Sequence, residues 1–170
     1  STGLRYNVLS RVRIGDTRMW VSLRAVPLEQ PAVNRLLVQE GRYLTAHQEE
    51  LLASKDLKDW HDLSLGQSVG VTQADGKEVD LPVIGLAYNA MWDIYRTSQP
   101  PYIYVSRDTL RELYPDEATW DWSIGLRLAE PSGVDDTVAK VERMLGSDAV
   151  EGHTDWRDVR DTATFDARMA

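Results

Sequence analysis

The chain contains no cysteine, which removes disulfides, thiolate zinc sites and thiol nucleophiles together. Phenylalanine occurs once against six tryptophans and seven tyrosines, so the aromatic set is made of rings with a polar handle, suited to half-wet surfaces. No run of five or six like charges occurs. No apolar window reaches the roughly 18 residues of a membrane span, and Ser1-Thr2-Gly3-Leu4-Arg5 lacks the basic-then-apolar layout of a signal peptide. The sequence reads as soluble, and excision from a larger membrane protein stays open. Absence of cysteine does not choose a compartment.

What is present is about one domain's worth of chain: 170 residues, 42% hydrophobic and 27% charged. Asp and Glu number 27 against 19 Lys and Arg, a formal charge of −8. Such a surface repels phosphate backbones, so nucleic acid is not an expected partner.

Tyr6 to Arg13, the turn Ile14-Gly15-Asp16 and Met19 to Val26 read as a β-hairpin. Ser54 is positioned to cap a short helix, Lys55 to Leu63, with Leu57, Trp60 and Leu63 or His61 on one face. Strands over Ser68 to Gln73 and Lys77 to Leu86 flank Ala74-Asp75-Gly76, a pair suited to a tight hairpin turn. Residues Ala87 to Gln99 show neither period and read as a loop or lid. A strand follows over Tyr102 to Val105, then a helix capped by Ser106, then a strand over Ser123 to Leu128. Ser132 and Asp135 form a capping-box pattern ahead of Val134, Val138, Val141 and Leu145 at helical spacing. The tail, Thr154 to Ala170, is charged and only weakly amphipathic.

Reactive chemistry is hard to find. His47-Gln48-Glu49-Glu50 lacks the second histidine of a metalloprotease helix, and no G-x-S-x-G elbow supports a nucleophilic serine. Neither G-x-x-x-x-G-K-[ST] nor G-x-G-x-x-G occurs; Gly66-Gln67-Ser68-Val69-Gly70 lacks the lysine. Asp155, Asp158 and Asp161 share a helix face, but Arg157 and Arg160 interleave, as on a solvated surface. The expectation is therefore no catalytic residue, no metal and no cofactor. The segment from 88 to 104 is the one aromatic cluster: Tyr88, Met91, Trp92, Tyr95 and Tyr102 either line a groove for a ligand or partner, or fold onto their own sheet.

Three short segments recur in a telling order: Glu40-Gly41-Arg42-Tyr43-Leu44, then Leu65-Gly66-Gln67-Ser68-Val69, then Pro82-Val83-Ile84-Gly85. With the helix between the first two and the later Ile103-Tyr104-Val105-Ser106-Arg107 strand and helix, this order resembles the extracytoplasmic core domain of FtsX-like, MacB-type ABC transporter permeases. Glu40, Gly41, Arg42 and Leu44, Gly66 and Val69, and Val83, Ile84 and Gly85 carry the likeness; Gln67 stands where that family has Asp. The resemblance implies an α+β fold with mixed or mainly antiparallel sheets: a porter-like α/β part (1–40 and 100–157), an interleaved β-rich insert (41–99), and a stalk (158–170) leading to a transmembrane helix. It further implies a location on the outer side of the cell membrane and a non-enzymatic coupling role. The implied partners are the permease's own transmembrane helices, a separate cytoplasmic ABC ATPase, an extracytoplasmic adaptor or substrate, and a second copy in a homodimer. The rival readings are a stand-alone extracytoplasmic ligand-binding or sensory domain using residues 88–104, and a hydrolase resting only on carboxylate abundance. The first reading expects the two termini close together.

Overall fold

The computed structural model describes residues 2–30, 35–89, 100–126, 128 and 130–146. They fall into two units, 2–125 and a second beginning at Leu126.

The first unit is built on the hairpin read from the sequence: β1 (Thr2–Ile14) and β2 (Thr17–Val26) pair antiparallel from Tyr6↔Ala25 to Ile14↔Thr17. Four further strands extend it: β4 (Leu51–Ser54), β5 (Ser68–Thr72), β6 (Glu78–Tyr88) and β7 (Tyr102–Ser106). The order β2-β7-β4-β6-β5-β1 returns to β2, because β1 pairs both β5 and β2. The six strands thus close into a ring, with β2–β7 and β4–β6 parallel and the other pairings antiparallel. Closure removes sheet edges and gives side chains an interior to fill. Two strands sit outside the ring: β3 (Leu37–Gly41) on β6, and β8 (Asp121–Leu126) beside β1.

Alternation along each strand divides the core in two. One set, including Val12, Val21, Leu23, Leu51, Val69, Leu81, Ile103 and Val105, fills the ring. The intervening residues Leu52, Tyr102 and Tyr104 join Val26, Leu36, Leu44 and Ala87 in a second cluster. Strand β4 is buried at all four residues, which is why it carries no period-2 signature and escaped the sequence reading.

Helix α1 (Lys55–His61) and helix α2 (Arg107–Leu113) deliver Leu57, Leu110 and Leu113 to the first cluster. The sequence assigns both helices a serine cap, and only one forms. Ser106 Oγ accepts from the Thr109 amide at 3.0 Å, whereas Ser54 makes no side-chain cap bond and its hydroxyl is buried without a partner. The apolar face expected of α1 is also revised: Leu57 and Leu63 are buried, but Trp60 is 56% exposed, because α1 ends after seven residues at Asp62 in the left-handed region.

The Asp75–Gly76 turn forms as expected, with Gly76 at φ +84° and Asp75 Oδ1 accepting from the Lys77 amide. Strand β6 runs on to Tyr88, beyond the expected end at Leu86, because Tyr88 and Ala87 pair with Leu37 and Val38. In the second unit, α3 (Val134–Leu145) follows a 3-10 turn at Pro131–Gly133. The capping box expected at Ser132 is not made: Ser132 lies inside that turn, which Pro131 starts with its fixed φ, and Gly133 occupies the cap position. The tail 154–170 and the spacing of the termini lie outside the described residues.

Candidate functional site

The three segments singled out in the sequence meet at one place, the middle of β6. Two register shifts prepare it: β3 carries an extra residue between Val38 and Glu40, and β6 carries one between Val83 and Gly85 opposite Leu51 and Leu52. Such bulges re-phase a strand and free backbone groups from the ladder. Here the freed Ile84 carbonyl accepts from the Arg42 amide at 3.0 Å.

Gly41 and Gly85 face each other in this pairing. Gly41 has φ +77°, and a Cβ there would lie 2.2 Å from the Ile84 carbonyl oxygen and 2.9 Å from Gly85 Cα. A Cβ on Gly85 would lie 2.6 Å from the Arg42 carbonyl oxygen and 2.6 Å from Leu52 Cδ2. The two glycines are needed because the backbones touch where side chains would stand. The second segment docks on β6 beside it: the Gly66 amide donates to the Val83 carbonyl and the Val83 amide to the Gln67 carbonyl, both at 2.8 Å. Gln67 Oε1 closes its own turn by accepting from the Ser64 amide at 2.8 Å.

Arg42 makes a two-pronged ion pair. Its guanidinium holds Glu50 through Nη1 to Oε1 at 2.9 Å and Nη2 to Oε2 at 2.5 Å, while Thr45 Oγ1 and the Tyr43 carbonyl accept from Nη1. Glu50 is 2% exposed and also accepts from the Thr45 amide. Burial alone would raise the Glu50 carboxyl, but the bonds from Arg42 and Thr45 outweigh it and hold it below its ordinary value. The bridge staples the loop that carries the chain from β3 to β4. Glu40 pairs outward with Lys58 of α1. At this junction the Arg42 guanidinium, the Glu50 carboxylate and the Glu40 carboxylate each have a partner within the fold.

Of the aromatic candidates, Tyr88 is half-buried at the end of β6 and Tyr102 is buried on β7, with β4 between the two strands. Met91, Trp92 and Tyr95 lie outside the described residues. The Tyr102 ring packs 6.3 Å from that of Tyr104 and lies 4.3 Å from the Arg24 guanidinium carbon. Arg5, buried like Arg24, is held at about 10 by burial and by the neighbouring Arg24 charge. Tyr43 is pushed up to about 12 by burial, and its hydroxyl donates to the Pro27 carbonyl. Arg5 and Arg24 alternate with the inward residues of β1 and β2, a pattern that reads as a solvated face, so their burial was missed.

A cleft of about 400 Å³ opens among Arg13, Gly15, His61, Asp62, Gln67 and Ser68. Arg13 is held there by Glu78 and Asp80. Among the described residues no group of His, Asp and Glu is arranged to hold a metal, and no helix is long and apolar enough to cross a membrane.

No protein-family model matches the sequence, and no curated protein does. Solved structures do. The extracellular domain of the noncanonic ABC-type transporter YknZ from Gram-positive bacteria superposes with a TM-score of 0.57 at 17% identity, over 87% of this chain and 75% of its own. The chain shares the fold of these transporter domains. The periplasmic region of MacB from Actinobacillus actinomycetemcomitans superposes with a TM-score of 0.54 at 15% identity, over 85% of this chain. This chain spans 65% of that MacB region, a little under two thirds. The α+β class and mixed sheet expected from the sequence are therefore those observed.

Proposed function

We propose that the chain is the extracytoplasmic domain of an ABC transporter permease of the YknZ and MacB kind. It would do no chemistry, and would pass motion generated by a separate cytoplasmic ATPase to a substrate or partner outside the membrane. The observation that carries this reading is the shared fold with two such domains over most of the chain. A coupling element must be stiff, and the closed ring, with its cross-strand glycine contact and buried Glu50, supplies stiffness.

The reading keeps the porter-like part at 1–40 and 100–157, the insert at 41–99 and the stalk at 158–170. Since β1, β2 and β7 come from the former and β4, β5 and β6 from the latter, the two parts share one core and would move together. It also keeps the permease's own helices, the ATPase, an extracytoplasmic adaptor or substrate, and a second copy as partners. The test is the coding sequence around this segment. Apolar spans of about 20 residues directly before Ser1 and after Ala170 are expected. A full-length protein without them would remove the permease reading.

A further inference from the structure

We propose that the cleft between the β1–β2 turn and the loop from α1 to β5 is a binding site for a short neutral saccharide. This goes beyond the permease reading and does not rest on it.

Both walls of the cleft are fixed before any ligand arrives. On one side, beside the Gly15 turn, Arg13 is bonded to Glu78 and Asp80 at 2.6 and 2.9 Å. On the other, Val83 accepts from the Gly66 amide and donates to the Gln67 carbonyl, and Gln67 Oε1 accepts from the Ser64 amide, so the loop is tied to β6 and to itself. Ile14 and Leu63 also line the cleft; they are 7% and 1% exposed and belong to the first core cluster, so its floor is apolar and rests on packed core. The volume, about 400 Å³, is that of a preformed small-molecule site. A site whose own chain needs no ordering keeps more of its contact energy as affinity.

Four polar side chains line the cleft with donors or acceptors that have no partner among the described residues: His61, Asp62, Ser68 and the Nε2 end of Gln67. Arg13, Arg18, Glu78 and Asp80 are, by contrast, paired with one another. Gln67 is the telling member. Its oxygen closes the turn as a carboxylate there would, and its NH2 remains as a donor that a carboxylate lacks. Asp62, held at φ +53° where α1 ends, supplies only acceptors, whereas His61 and Ser68 can each donate or accept.

This set selects the ligand. An anion finds no open cation, because Arg13 already carries two carboxylates. A cation finds only the exposed Asp62 carboxylate, and an exposed ion pair of that kind adds little affinity. A pyranose ring matches both layers. Its C–H face covers Ile14 and Leu63, and neighbouring hydroxyls, each donor and acceptor at once, satisfy Asp62 and Gln67 Nε2 together.

Titration of the isotopically labelled 170-residue chain with maltose, cellobiose and chitobiose, followed by amide NMR, tests this. Saturating shifts are expected with at least one sugar at Gly15, Asp62 and Ser68 and at the side-chain NH2 of Gln67. Gln67→Glu keeps the oxygen that faces Ser64 and removes the donor; Asp62→Asn removes the charged acceptor. Each should weaken sugar binding at least about tenfold while the rest of the amide spectrum stays as in wild type. Absence of shifts with all three sugars overturns the proposal, as does a sugar bound as tightly by either variant as by wild type. Shifts at these groups as large from phosphate, spermine or tetraglycine as from sugar overturn it too, since the cleft would then not be selective for a saccharide. None of these outcomes touches the permease reading, which the flanking spans test separately.

Discussion

Replacing Gly41 with alanine tests the account of the motif junction most directly, since two costs combine there and can be separated. The first is conformational: φ of +77° costs an L-residue about 1–2 kcal/mol. The second is steric, because a Cβ 2.2 Å from the Ile84 carbonyl oxygen meets backbone that is itself bonded to the Arg42 amide. Overpacking of this kind costs about 1–3 kcal/mol. Gly41→Ala is therefore expected to destabilise by about 2–5 kcal/mol. Gly66 is the control, with φ +81° and nothing within 4 Å of its Cβ position. Gly66→Ala should lose only the conformational part, about 1–2 kcal/mol. Urea unfolding followed by tryptophan fluorescence, with Trp120 buried in the first cluster, measures both. Equal losses for the two variants, within about 0.5 kcal/mol, would refute the close-approach argument.

The two serine caps should separate in the same assay. Ser106→Ala should cost about 0.5–2 kcal/mol, and Ser54→Ala should cost nothing or stabilise, since it removes a buried hydroxyl without a partner; a larger loss at Ser54 would contradict the geometry. Glu50 should contribute to acid sensitivity. Its folded-state value lies below the ordinary 4.5, so its contribution is complete above that value and is lost as pH falls through the folded-state value. Glu50→Gln should thus be less stable than wild type at pH 7, and the gap should narrow by pH 3; a constant gap in urea midpoint would contradict the Arg42 bridge.

Local grammar was readable and contacts across the fold were not. The β1–β2 hairpin, the Asp75–Gly76 turn and the helices after Ser54 and Ser106 carry their signals within a few residues, and all formed. Ser54 and Ser106 nevertheless look equivalent in sequence; only the fold decides that one hydroxyl meets an amide and the other does not. Strand β4 was invisible because burial on both faces erases alternation. Glu50 was hidden for another reason. It sits eight residues from Arg42 across a loop, where no periodicity links donor to acceptor.

The glycines at 41 and 85 show what a motif of this kind records. Each faces backbone of the opposite strand, Gly41 that of Ile84 and Gly85, and Gly85 that of Arg42 and Glu40 besides the Leu52 side chain, through a bulge on either strand that brings Arg42 against Ile84. Neither glycine can gain a side chain unless β3 separates from β6, and that separation would withdraw Arg42 from the Ile84 carbonyl and loosen its hold on Glu50. The cost of one substitution is thus already spent when the second is made. Gly41→Ala combined with Gly85→Ala should destabilise by less than the sum of the single losses, with a coupling of about 0.5–3 kcal/mol. Strict additivity would mean that the two segments occupy independent sites and that their recurrence together has no common structural cause.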